Sequence, residues 1–349
     1  MAKNKKVRKI ILTVAFIIFS ASVIIATAAN EFSGSQNAAE LAEVHLSGWL
    51  VIPAALCFIV MICLEYAKYA LMIIKTARKD TFSRKEIWRL AFKTVMLGRY
   101  YDKITPAAVG GQPAQILTLR KTGKIPNGMT TAIPIFSMIS GQVTFLMVAI
   151  PCFLFSGIGN HYPVLLATAW IGLLFYAFWP VMVVGTMFFL NPTAKFINLI
   201  VRLFAKIKLI KNRDEAIEKV EAEVRDYAKN VKMILKKPVL SGGVLLMSLF
   251  SNMLASFIPF FVLKAFGGDI DFGECFLLSI CVEAAIYFAP TPGNSGVAEG
   301  TFYVVFSRLS TGYVFWAMML WRLFSYYIYI IVGPLIYLHQ QIKKRRVRK

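Results

Sequence analysis

The chain has 349 residues, of which 58% are hydrophobic and 14% aromatic, well above the roughly 45–50% apolar share of soluble domains. That balance excludes a soluble globular domain and points to an all-α integral membrane protein. The formal net charge of +21 invites a nucleic-acid reading. The basic residues, however, gather beside the ends of apolar runs, where the positive-inside bias places them on the cytoplasmic side, so no nucleic-acid partner is expected.

A run of about 20 apolar residues crosses the roughly 30 Å hydrocarbon layer. In chain order such runs fall at 10–29, 49–74, 130–155, 164–190, 239–263 and 313–338, giving six predicted spans and two shorter apolar leftovers. The first run follows a basic KNKKVRK segment and ends near small residues, as a signal peptide does, but it is longer than a signal core, which favours an uncleaved anchor. The five cysteines lie in or beside the spans, and the three histidines are far apart. Neither set has metal-ligand spacing, so no disulfide framework, metal or cofactor is expected.

Charge sets the orientation. Lys3, Lys5, Lys6, Arg8 and Lys9 put the N-terminus in the cytoplasm, and Glu31, Glu40 and Glu43, with no basic residue among them, put the next loop outside. The connection holding Lys75, Arg78, Lys79, Arg84, Lys85 and Arg89 returns to the cytoplasm, yet Arg120, Lys121 and Lys124 soon follow with the same signature. The first leftover, 88–119, must therefore enter and leave from one side. A lipid-facing turn would strand backbone polar groups at several kcal/mol each, so its tip has to be buried in protein or line a wet cavity. The tip reads ITPAAVGGQPAQI, with Pro106 stopping the first half-helix and Gly110 and Gly111 allowing backbone bends and close approach.

After two more spans comes a basic cytoplasmic linker, 191–238, read as solvated and membrane-hugging. Its later part is helical by the spacing of Ile217, Val220, Val224, Tyr227, Val231 and Ile234. The second leftover, 275–307, lies between an acidic outer loop and a last span that ends in the basic tail, so it enters from outside. The two tips share TP-x-x-x-G, as Thr105-Pro106 with Gly110 and Thr291-Pro292 with Gly296. The resulting division is an N-terminal anchor and outer loop at 1–48, a first repeat at 49–190, the linker at 191–238, a second repeat at 239–338 and a cytoplasmic tail at 339–349. Inverted repeats whose broken helices meet near the midplane are a transporter architecture.

Ionisable residues at bilayer depth are functional candidates. Glu65 and Lys68, and Arg99 and Asp102, sit three apart and face one another along their helices. Arg322 has no acid nearby in sequence and needs a partner from elsewhere, Glu299 first and Glu283 second. Gln112, Gln115 and the N-terminus of the return arm offer polar groups at the first tip. Thr291, Pro292, Gly293, Asn294 and Gly296 form the second.

The segments YYDKITPAAVGGQPAQI, PTPGNSGVAEG and the arginine of LWRLFSYYIYIIVGP resemble the flippase-like membrane family typified by the transmembrane domain of lysylphosphatidylglycerol synthase, over residues of about 45–340. The resemblance implies handling of anionic or aminoacylated phospholipids, a cell-membrane location and, in the full-length synthase, a soluble aminoacyl-tRNA-dependent transferase domain. This chain ends soon after the last span, so transferase activity is not expected of it. Ala298 also departs from many relatives, which carry a basic residue there.

The function expected is lipid translocation, as a flippase or scramblase. No Walker A motif is present, so movement is downhill or coupled to protons or ions, with Glu283, Glu299 and Asp102 as candidate carriers. A scaffold for a separate lipid synthase and a membrane-embedded lipid enzyme are the alternatives, and a homo-oligomer is compatible with either. DedA-like two-hairpin proteins share the inferred architecture.

Overall fold

A computed structural model describes Ile25 and residues 46–77, 82–188, 229–287, 289–308 and 313–347. Apart from Ile25, the predicted anchor at 10–29 lies outside them, as do the acidic outer loop, most of the linker and the last two residues of the basic tail. The described residues are helical, without strands. In chain order the helices are α1 (Gly48–Thr76), α2 (Arg84–Ile104), α3 (Gly111–Arg120), α4 (Asn127–Phe155), α5 (Pro163–Phe188), α6 (Pro238–Ala265), α7 (Phe272–Ile286), α8 (Val297–Phe306), α9 (Val314–Arg322) and α10 (Ile328–Val347).

Five helices are long and apolar enough to cross a membrane: α1, α4, α5, α6 and the continuous stretch Val314–Leu338. They coincide with five of the six predicted spans. The last is not one regular helix, because a π-helical turn, Leu323–Tyr327, separates α9 from α10 immediately after Arg322. Such turns are uncommon and gather at functional positions. Large apolar side chains on α1 (Trp49, Ile52, Leu56) and α5 (Val164, Leu174, Phe175) point outward. That suits a hydrocarbon surround.

The two leftovers form helix–turn–helix hairpins, α2–α3 and α7–α8. α2 begins in a capping box, in which Ser83 Oγ accepts from the Glu86 N–H at 3.3 Å and Glu86 Oε2 accepts from the Ser83 N–H at 2.8 Å. It stops at Ile104 because Thr105, preceding proline, is forced extended at φ −109°, ψ 142°. α7 is capped by Asp271, whose carboxylate accepts from the Gly273 and Glu274 N–H groups. The return arms α3 and α8 have 10 residues each, about 15 Å of helix and half a hydrocarbon layer.

The shared TP signature has a shared backbone. Residues 107 and 108 have φ of 52° and 51°, and Gly293 and Asn294 have φ of 60° and 57°. The left-handed bend thus falls on two alanines in the first tip. The expectation that Gly110 and Gly111 make that bend is corrected: Gly110 has φ −83°, open to any residue. These glycines serve close approach, since a Cβ on Gly110 would lie 2.6 Å from the Thr105 side chain and one on Gly111 would run into the Asp102 carboxylate.

α1 runs beside α6, α5 packs on α7, and α2 packs on α3, α1 and α10. One apolar core joins α1, α4 to α9 and the turn beyond, around Phe58, Phe145, Phe302 and Phe306. A second joins the base of the first hairpin to α1 and α4 around Tyr69, Ile73, Leu119 and Ile133. The end of the linker belongs to this second core. Residues 229–235 are helical, with Val231 and Ile234 buried, and Lys237 Nζ donates to the Lys75 carbonyl at 3.0 Å. The expected solvated linker is therefore docked at its C-terminal end; Ile217, Val220, Val224 and Tyr227 lie outside the described residues.

Candidate functional site at the hairpin tips

The turn at Pro106–Ala108 packs against the turn at Pro292–Asn294, and the second turn also touches α2. Gly293 is buried there. A Cβ on it would stand 3.0 Å from the Lys103 carbonyl and strike the Tyr326 ring, so glycine is required by the space and favoured by its φ of 60°. The two tips were expected to meet, and the fold brings the turns that hold Thr105, Pro106, Thr291, Pro292 and Gly293 together in one junction.

The second tip is clasped to the last span. Arg322 Nε donates to Glu299 Oε1 at 2.7 Å, and Arg322 Nη2 donates to Ser295 Oγ at 2.9 Å and to the Gly293 carbonyl at 3.3 Å. Glu299 Oε2 accepts from the Gly296 N–H at 2.6 Å, capping α8. The guanidinium lies 4.7 Å from the Tyr326 ring centre. Of the two partners foreseen for Arg322, Glu299 is the one it meets. Gly296, at φ 84°, and Asn294 shape the turn around this clasp.

At the first tip, Asp102 Oδ1 accepts from the Gly111 N–H at 2.8 Å, and Thr105 Oγ1 accepts from the Gly110 N–H at 2.9 Å. The three-residue Arg99–Asp102 pairing is corrected. Asp102 closes its own hairpin, whereas Arg99 Nη2 lies 3.6 Å from Glu65 Oε2 on α1. Glu65 Oε1 also takes Lys68 Nζ at 2.8 Å and the Ser251 hydroxyl at 3.3 Å, and Lys68 donates to Ser248 Oγ at 3.2 Å. Gln115 Oε1 accepts from the Tyr69 hydroxyl at 2.8 Å. Gln112 is half-buried on the same arm.

Two charged groups remain. Lys103, the last charged residue of α2, is within electrostatic reach of Arg99, Asp102, Arg322 and Glu283. Glu283, on α7, is within reach of Lys103 and Arg99. Neither makes a hydrogen bond or an ion pair within 4 Å among the described residues. Outside the hairpin tips, Glu86 near the start of α2 has its carboxyl held below the usual range by the Ser83 N–H and hydroxyl and by Lys124.

Several members of this polar region were not singled out in the sequence. Gln142 on α4 is buried; its amide donates to the Tyr287 hydroxyl at 2.7 Å, and its Oε1 has no partner among the described residues. Tyr287 packs on Tyr176 of α5, ring centres 4.0 Å apart. Asn252 of α6 donates to the Gly141 carbonyl at 2.9 Å. The available signal was polar residues at three- and four-residue steps inside apolar spans, as in SMISGQVT and SLFSN. Among the described residues no three His, Cys, Asp or Glu side chains gather as metal ligands.

The fold defines a helical membrane protein with two short-armed hairpins meeting at a charged junction. Residues 10–333 match the family model described as the lysylphosphatidylglycerol synthase TM region, and the chain belongs to that family. It is 25% identical over 314 residues to a UPF0104 membrane protein of Archaeoglobus fulgidus, covering 86% of this chain and 92% of that one. No solved structure matches.

Proposed function

We propose that the protein is a lipid translocase, a flippase or scramblase, in which a phospholipid headgroup passes between two oppositely oriented re-entrant hairpins while its acyl chains stay in the bilayer. The observation that carries this is the meeting of the tips, with Arg99, Asp102, Lys103 and Glu283 around it. Charges cost several kcal/mol at bilayer depth unless paired or wetted, and a scaffold has no use for them there. Half-length arms α3 and α8 fit entry from one face each.

The ligand in this reading is an anionic or aminoacylated phospholipid of the cell membrane, with both chain termini cytoplasmic. Lys103 and Arg99 receive its phosphate, for which a guanidinium and an ammonium are suited. Gln112, Gln115 and the N-terminus of α3 contact the headgroup from the first tip. Arg322 and Glu299 hold the second tip in place.

Dithionite quenching of headgroup-labelled phosphatidylglycerol in proteoliposomes tests the proposal. Loss of inner-leaflet fluorescence beyond that in protein-free vesicles supports it. Full protection across anionic, zwitterionic and aminoacylated headgroups counts against it.

A further inference from the structure

Apart from Glu86 and Glu274 in the first turns of α2 and α7, four acidic residues stand within the hairpins and spans that build the junction, and three are committed. Glu65 holds Lys68, Arg99 and Ser251. Asp102 holds the Gly111 N–H, and Glu299 holds Arg322 and the Gly296 N–H. Glu283 alone holds nothing among the described residues, and the lysine it faces, Lys103, is equally unengaged. They belong to different hairpins, α2–α3 and α7–α8, and lie within electrostatic reach of each other.

We infer that Glu283 carries a proton coupled to headgroup passage, exchanging places with the lipid phosphate as the counter-charge of Lys103 and Arg99. This rests on the translocase reading. With no lipid present, the Glu283 carboxylate faces Lys103 and Arg99, the latter also met by Glu65. When a phosphodiester arrives it takes over that role, and the displaced carboxylate accepts one proton from water. When the lipid leaves, Glu283 releases the proton and faces Lys103 again. Charge and protons balance, with one lipid anion and one proton moving together.

Asp102 also lies within electrostatic reach of Lys103 and Arg99, but its carboxylate closes the first hairpin on the Gly111 N–H. α2 presents Arg99 and Lys103, and α5 presents Tyr176. Tyr287, one turn beyond on α7's own end, accepts from Gln142 of α4. α8 directs Glu299 to Arg322, and the one charged residue of α6, Lys264, is bound to Asp269 at 3.1 Å. α5 is held close, because a Cβ on Gly172 would strike the Ala284 carbonyl.

The test is calorimetric binding of the short-chain lipid dihexanoyl-phosphatidylglycerol to the purified protein, at one pH, in two buffers of different ionisation enthalpy. The difference gives protons taken up per lipid. Wild type is expected to take up about one, and Glu283→Gln, which keeps the shape, about none while still binding. Binding with no proton uptake by wild type, or with equal uptake by Glu283→Gln, overturns the inference and leaves translocation standing. Absence of binding by both proteins overturns both.

Discussion

Arg322 and Glu299, 23 residues apart, form a buried ion pair at 2.7 Å in which each partner has further bonds to the second hairpin tip. Both are about 2% exposed. The arginine on the last span and the glutamate that caps α8 therefore fix one tip from two sides. Among the described residues, the side-chain bonds at the first tip's turn are the internal ones of Asp102 and Thr105.

Removing one partner of this pair leaves a buried charge uncompensated, which costs about 3–5 kcal/mol. Arg322→Ala is expected to lower the thermal midpoint in detergent markedly. Arg322→Met with Glu299→Gln, which removes both charges, is expected to lose less than the single variant. Melting of the three proteins by intrinsic fluorescence checks the order; a double variant no better than Arg322→Ala speaks against the clasp.

The first tip responds oppositely to two small changes. Gly111→Ala drives a Cβ into the Asp102 carboxylate and is expected to destabilise. Ala107→Gly relieves a left-handed alanine and is expected to stabilise by up to about 1 kcal/mol. Differential scanning of both variants reads the signs directly.

Lys103→Ala is expected to slow lipid passage at least about tenfold, roughly 1.4 kcal/mol of barrier, with the melting temperature little changed because no described partner is lost. Transport rates and melts on the same preparation check this. A folded Lys103→Ala protein that transports at the wild-type rate removes the phosphate role from this residue.

Ile234 is 1% exposed in the core shared by the linker, α1 and α4. Ile234→Ala is expected to cost about 2–4 kcal/mol and to make the linker easier to cleave, as read by limited proteolysis of purified protein.

Five of the six spans were legible because long apolar runs have one physical meaning, and the two helix–turn–helix hairpins were legible because a Thr-Pro turn with a following glycine interrupts each of the two remaining apolar segments. Arg322 called for Glu299 by charge alone. The partner of Arg99 was not legible: helical spacing offered Asp102, but Glu65 lies on a neighbouring helix whose register no local pattern reveals. Nor could sequence place the bend on Ala107 and Ala108, since alanine normally avoids positive φ and the conformation is imposed by Pro106 and the packing of the opposite tip. Gln142 and Tyr287 were hidden for the same reason, being 145 positions apart.

The central claim, that headgroups pass where the tips meet, is tested most directly by joining them. Cysteines placed at Ala107 and Pro292, in a chain whose five native cysteines are replaced, are linked by a short bifunctional thiol reagent, and transport is measured by dithionite quenching. The account predicts that the linked protein is silent while each single-cysteine protein treated alike stays active. Equal rates in the linked and unlinked proteins would contradict it.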